Sequence, residues 1–219
     1  TLTNAGHYLL EEGRQLLEAA NTLARTTRRV AEGWEASVTI AVNALLPVSA
    51  LFPAVSAFNE LGVPVEIHLL DEVFNGPWDA LHTGRADLIA GATSEIQPPG
   101  DFEHRDIGQV PFVYAVAHNH PLAVETGPLS EEILSAWPAV VAADSSRQLP
   151  AGSAGIFARQ RTLKVSSMAH KIEAQKAGMG VGWLPRPQVE SALASGELVA
   201  LNVATKRPPV ILCMARRRG

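Results

Sequence analysis

The stretch VSSMAHKIEAQKAGMGVGWLP, residues 165–185, decides the fold, because its closing GMGVG (178–182) admits two opposite readings. In phosphate-cradling loops the glycines follow a strand and open a helix, whose free N–H groups and positive dipole end hold the anion. Here the order is reversed, since a helical run from about Met168 to Ala177 comes first and the glycines come after it. Gly178 fits the left-handed position that ends a helix, and Gly180 and Gly182 suit a tight turn into a strand, VGWLP. The motif therefore predicts a helix-to-strand turn within an α/β fold and not a nucleotide site. Any ligand at this helix belongs to its other end, where Ser166 and Ser167 offer hydroxyls and free N–H groups; the alternative is that one serine is only a cap.

Outward from this segment the same alternation fills the chain. Strands SVTIAV (37–42), VEIHLL (65–70) and ADLIAGA (86–92) alternate with helices VSALFPAVSAF (48–58) and GPWDALHTG (76–84), which predicts a parallel sheet with right-handed crossovers. A second unit follows: strand FVYAVA (112–117), helix SEEILSAW (130–137) with a serine cap, strands PAVVAA (138–143) and LKV (163–165), then VGWLP and the helix PQVESALASG (187–196). The Pro- and Gly-rich stretch QPPGDFEHRDIGQVP (97–111) divides the two. The expected fold class is α/β with two Rossmann-like lobes, lobe I over 36–111 and lobe II over 112–215, and a basic end at 216–219.

Residues 1–33 have a different texture. Leu2, Leu9, Leu16, Leu23 and Val30 recur every seven residues, and the small residues Gly6, Gly13, Ala20 and Thr27 lie beside that stripe. This predicts a helix of roughly 28 residues, about 42 Å long, with Thr3 or Asn4 as N-cap and Gly33 at its end. Such a length exceeds what a small domain uses internally, so the stripe is read as a dimerisation face; the alternative is a helix lying on its own domain.

Composition narrows the function. The chain has 219 residues, 47% hydrophobic and 18% charged, with 18 basic and 22 acidic residues, so no global positive field draws it to nucleic acid. A single cysteine, Cys213, sits in an apolar run and reads as a buried thiol. No apolar stretch approaches the roughly 20 residues that span a bilayer, and the first residues lack the order of a secretory signal, so the cytoplasm is expected. The chain begins at Thr1 and not at Met, and an upstream segment is expected.

Five ordered segments resemble those of LysR-type transcriptional regulators: LTNAG (2–6), SALFPAVSAF (49–58), ALHTGRADLIAG (80–91), VYAVAHNHPLA (113–123) and AQKAGMGVGWLP (174–185). The resemblance implies a periplasmic-binding-protein-like (type 2) effector-binding module preceded by a long linker and dimerisation helix. It further implies a homodimer or homotetramer, a small-molecule effector in the cleft between the lobes, and DNA binding through an N-terminal winged helix-turn-helix outside this chain. Two departures stand out. Where many members have Ser or Thr after the first strand, this chain has Asn43-Ala44-Leu45, and after its last strand it reads MARRRG where the family usually continues into a helix.

In a doubly wound sheet, ligands sit beyond the carboxyl ends of the strands. The candidate ligand contacts are therefore Asn43, Leu45, Glu72, Phe74, Thr93, Ser94, Ser145, Ser146, Arg147, Ser166, Ser167 and Met168. Arg147 is suited to an acidic or nitro group, or else to a surface salt bridge, while Phe74 and Met168 suit a ring or alkyl portion. Glu72 would exclude anions or bind a donor, or else is a solvated carboxylate. No cofactor and no metal are expected, since His118 and His120 lie two apart in a turn and the seven histidines form no ligand set. AGSAG (151–155) misses the nucleophile-elbow pattern, and no acid–base pair assembles, so catalysis is not expected. Lys206, Arg207, Arg216, Arg217 and Arg218 read as a solvated chain end. The rival functions are a solute-binding protein of the same fold and a small α/β enzyme.

Overall fold

The structure is a computed structural model that describes residues 3–32, 37–63, 65–94 and 97–218. A long helix, α1 (Asn4–Glu32), opens it, and Thr3 is its cap, accepting the Gly6 N–H at 3.1 Å. Gly33, expected to end this helix, and Leu2 of the apolar stripe lie outside the described residues.

The first sheet begins with β1 (Ser37–Asn43), a short 3-10 turn (Val48–Leu51) running into α2 (Phe52–Asn59), β2 (Glu66–Glu72), α3 (Gly76–His82) and β3 (Leu88–Thr93). β1 pairs in parallel with both β2 and β3, as the strand–helix alternation requires. Trp78, Leu81, Ile89 and Cys213 are fully buried at its centre, and Trp78 stands edge-on to Phe102 at 5.7 Å.

Two strands of this sheet were not expected there. β4 (Phe102–Val110) occupies the stretch read as a divider, and β10 (Val210–Arg217) inserts between β3 and β4 to complete the order β2-β1-β3-β10-β4. β4 is an edge strand whose residues from Glu103 to Gln109 are exposed, so it shows no apolar pattern, and its partner β10 lies far along the chain, with Val110 opposite Val210. Residues 210–215 thus leave the second lobe, where the sequence placed them, and the basic end becomes part of a strand. Arg216 pairs with Glu103 at 2.8 Å, and Arg217 donates to the carbonyls of Leu81 and Ala86, so these side chains are engaged and not free in solvent.

The second unit contains β5 (Phe112–Ala117), a 3-10 turn (Pro121–Val124), α4 (Glu131–Ser135), β6 (Ala139–Ala142), β7 (Thr162–Val165), α5 (Met168–Lys176), β8 (Gly182–Pro185), α6 (Arg186–Ala194) and β9 (Leu198–Ala200). β5 lies between β8 and β9, and β6 pairs in parallel with β7. A bridge between Ala139 and Val181 links the two ladders. The GMGVG turn makes this link possible: Gly178 ends α5 at φ +74°, and a Cβ on Gly180 would stand 2.3 Å from the Pro138 carbonyl oxygen. Buried Gln175 ties α5 down by donating to the carbonyls of Ala115 at 2.8 Å and Gly182 at 3.1 Å. His120 is buried in the first turn, where its Nδ1 accepts the Leu122 N–H at 3.2 Å.

The chain crosses between the two sheets twice, from β4 to β5 through Pro111 and from β9 to β10 through residues 201–209. The carboxyl ends of β1, β2 and β3 therefore face residues of the second unit beside these crossings.

Candidate functional site

A cavity of about 190 Å³ lies where the two units meet. One wall comes from the first unit, through Asn43, Ala44 and Leu45 after β1, Val73, Phe74 and Asn75 after β2, and Thr93 at the end of β3. The other comes from the second unit and the crossings, through Phe112, Gly152 to Ala154, Met168, Lys171, Trp183, Arg207 and Val210. Aromatic and aliphatic groups dominate this lining, and a few polar groups converge on it, the usual make-up of a small-molecule site.

The first wall is preorganised by Asn43, which is buried. Its Oδ1 accepts the Leu45 N–H at 2.9 Å and its Nδ2 donates to the Phe74 carbonyl at 3.3 Å, joining two of the loops that line the cavity. Phe74 itself adopts φ +51°, a left-handed conformation costing on the order of 1–3 kcal/mol in a non-glycine residue. Such strain persists where the surroundings over-determine it, and here the Asn43 bond and the start of α3 fix both sides of the residue.

The second wall carries the charge. Lys171 lies one turn into α5 and is only 7% exposed. Burial, helped by the nearby Arg207 charge, lowers its ammonium pKa to about 8. Arg207 stacks on the Phe112 ring at 3.8 Å, and burial lowers its pKa too. An adjoining cavity of about 450 Å³ shares Phe74, Gly152, Met168 and Lys171 with the first and adds Asp144 and Lys164. The Asp144 carboxylate accepts the N–H groups of Asn75 at 3.3 Å, Ser146 at 2.7 Å and Gly152.

Beside the cavity a polar network fastens one unit to the other. Arg85 bridges Glu72 at 2.6 Å and Asp79 at 2.9 Å, and the Ser145 hydroxyl donates to the other Glu72 oxygen. The Asp79 Oδ1 accepts the N–H groups of Gln148 and Leu149, each at 2.8 Å. Burial pushes the Asp79 pKa up, but the Leu149 and Gln148 N–H groups and the Arg85 guanidinium outweigh it and hold the carboxyl below its ordinary value. On the other side of the cavity, Gln188 of α6 donates to the carbonyls of Ala44 at 2.7 Å and Leu45 at 3.2 Å.

Of the residues singled out by sequence, Asn43, Leu45, Phe74, Thr93 and Met168 come together around the cavity. Glu72 is neither solvated nor exposed to a ligand, since it is buried and both its oxygens are occupied. Ser145 serves the same network, Ser94 donates its N–H to the Ile211 carbonyl, and Ser146 turns its N–H to Asp144. Arg147 points instead toward α1, where its guanidinium meets Glu18. Ser167 caps α5 by accepting the His170 N–H at 3.1 Å and lines a separate groove, while exposed Ser166 sits 3.0 Å from the His170 ring. Lys171 and Trp183 were not singled out by sequence, and Arg207, read there as part of a solvated chain end, lines the cavity instead and stacks on Phe112. Lys171 carried a usable signal, being three residues after Met168 and hence on the same face of the helix. Arg207 carried no such signal, because a basic residue within the crossing from β9 to β10 looks like any surface charge.

Along α1, Leu9, Leu16 and Leu23 are 73%, 71% and 69% exposed. Among the described residues no helix is long and apolar enough to cross a membrane, and no group of three or more His, Cys, Asp or Glu side chains is placed to hold a metal ion.

Comparison with known proteins agrees with this architecture. Residues 31–219 match the family described as the LysR substrate binding domain. The chain is 34% identical over 215 residues to the probable HTH-type transcriptional regulator YhaJ of Escherichia coli, covering 98% of this chain and 72% of that protein. It is 33% identical over 204 residues to the uncharacterized HTH-type transcriptional regulator YeeY of the same organism, covering 93% of this chain and 66% of that protein. Its fold is similar to the Synechocystis CcmR regulatory domain in complex with 2-PG, with a TM-score of 0.60 at 19% identity, covering 84% of this chain and 88% of that one.

Proposed function

Since the chain belongs to the LysR substrate-binding domain family of transcriptional regulators, we propose that its cleft is the effector site of such a regulator. In this family the domain binds small-molecule effectors, and the observation that carries the reading here is the cavity lined from both units by Asn43, Leu45, Phe74, Thr93, Met168 and Trp183. An effector that touches both walls favours one arrangement of the two units over another by its difference in affinity for the two, and the double crossing of the chain provides the joint.

The remaining roles extend the same proposal. Helix α1 acts as the linker helix, pairing with a second copy in a homodimer or homotetramer through the stripe of Leu9, Leu16 and Leu23. The relatives are longer than this chain, and their HTH-type names support a DNA-binding segment N-terminal to α1. The protein works in the cytoplasm as a sensor and not as an enzyme or a solute-binding protein, a reading that rests on the regulator names of its relatives.

A thermal-shift screen of the chain against small organic acids, their amides and neutral metabolites tests the effector site. A ligand present at 100 times its dissociation constant adds about 2.7 kcal/mol of apparent stability. The expected result is stabilisation that disappears in Leu45→Trp, whose indole fills the cavity. Stabilisation that survives Leu45→Trp would place the ligand elsewhere and defeat the reading.

A further inference from the structure

We propose that this cleft is built for a small organic acid, whose carboxylate is held between Lys171 and Arg207 and whose apolar body lies against Phe74, Met168 and Trp183. The proposal rests on the effector-site reading above and names the chemical class of the effector.

The first observation is an uncompensated charge. Lys171 is more than nine-tenths buried, lines both adjoining cavities, and has no hydrogen-bond acceptor or carboxylate at its Nζ among the described residues. A buried ammonium without a partner is a cost that folding alone does not explain, and a bound anion removes it. The second is that the charge acting on Lys171 has the same sign. Arg207 also forms no ion pair among the described residues, and its guanidinium is fixed by stacking on Phe112, so its N–H groups are already oriented for a planar carboxylate.

The third is that no acid competes. The wall containing Lys171 and Arg207 has no carboxylate in its cavity lining, and the one acid in the adjoining cavity, Asp144, already accepts three backbone N–H groups. Two cations in a low-dielectric cleft focus a positive potential at this spot although the whole chain carries a formal charge of −4. The rest of the lining fits the other half of an acid. Trp183 and Phe112 present rings, and Met168 and Leu45 present adaptable aliphatic surface, so the body of the ligand is apolar and the polar contact is concentrated at one end. The sequence assigned this role to Arg147, which the structure turns toward α1.

The test compares acids with their own amides, using acetate, benzoate, phenylacetate and hexanoate against acetamide, benzamide, phenylacetamide and hexanamide, with the wild-type chain and the variants Lys171→Met, Arg207→Gln and Leu45→Trp. Thermal midpoint and Trp fluorescence are both recorded. The expected result is that at least one acid binds, that its amide binds at least tenfold more weakly, and that Lys171→Met and Arg207→Gln each weaken the acid at least tenfold. Equal binding of acid and amide, or acid binding retained in Lys171→Met, overturns the proposal. If amides or other neutral ligands bind and Leu45→Trp abolishes them, the acid is wrong and the effector cleft stands. If no acid in the set binds, the proposal fails. Arg207→Gln keeps a polar side chain at a partly exposed position, so a folding defect in Lys171→Met does not leave the outcome open.

Discussion

Glu72 and Arg85 form a buried ion pair, Nη1 to Oε1 at 2.6 Å, with the two side chains 3% and 9% exposed. The second Glu72 oxygen accepts the Ser145 hydroxyl, and the second arm of Arg85 reaches Asp79. One carboxylate thus joins β2, the loop after α3 and the loop after β6, and holds the two units in register beside the cavity without entering it. Removing one member of such a pair leaves a charge stranded in the interior, which typically costs 3–5 kcal/mol. Because Asp79 still shares Arg85, Glu72→Gln is expected at the lower end, about 3 kcal/mol by urea unfolding, with the acid-over-amide preference of the cleft unchanged.

The two glycines of the GMGVG turn separate strain from collision. At Gly178 the left-handed backbone alone opposes a side chain, since the nearest atom to a Cβ lies 3.7 Å away, and Gly178→Ala is expected to cost about 1 kcal/mol. At Gly180 a Cβ would strike the Pro138 carbonyl at 2.3 Å and push apart the link between β6 and β8. Gly180→Ala is therefore expected to cost about 2–3 kcal/mol, the upper range for overpacking. Denaturant midpoints that show Gly178→Ala to be the more damaging would contradict this ranking.

Lys171 has a pH signature. Its pKa falls from 10.5 in the unfolded chain to about 8 in the fold, so between those values the unfolded state binds more protons and folding stability rises with pH. Burial raises the Cys213 thiol from 9.0 to about 11, with the Asp106 charge adding to it, and this opposes the trend above pH 9. The comparison that isolates Lys171 is the difference between wild type and Lys171→Met. Without ligand the variant is expected to be the more stable at pH 7, by on the order of 3 kcal/mol, and its advantage should shrink steadily from pH 8 to pH 10. An advantage that stays constant over this range would mean that the ammonium is not perturbed in the fold.

The α1 stripe predicts self-association. Leu9→Glu with Leu16→Glu places charges on the face proposed to meet a second copy, and sedimentation should show a dimer or tetramer converted to monomer while each chain keeps its folded lobes. A wild-type chain that sediments as a monomer at tens of micromolar would remove the linker role from the proposal.

Local regularity explains which features could be read in advance. The parallel strands β1, β2 and β3 and the helices between them carry their own apolar patterns, and Ser130 and Ser167 mark helix starts by cap chemistry that is local to the chain. β4 and β10 were missed or misplaced because each depends on a partner far along the chain, and an edge strand with a polar outer face lacks the pattern that betrays a buried one. The same distinction holds at the site. Asn43, Phe74, Thr93 and Met168 follow from the rule that loops after strands line the cleft, whereas Glu72 and Ser145 obey that rule and still turn away to each other. Whether a loop residue faces a ligand or a neighbouring loop depends on how the two units meet, and that contact has no local signature. Arg207 lies near the end of the sequence and enters the cleft only because β10 returns to the first sheet.

The central claim, that a ligand occupies the cavity between the two units, is tested most directly by the methyl signals of the protein's 3 methionines. Met168 lines the cavity and is 8% exposed, while Met179 and Met214 are 55% and 41% exposed and lie outside it. Titrating a stabilising acid into the chain labelled at the methionine methyls should shift the Met168 signal, saturably and with the affinity found by fluorescence, and leave Met179 and Met214 in place. A Met168 signal that stays fixed while Met179 or Met214 moves would put the ligand on the outer surface and contradict the account.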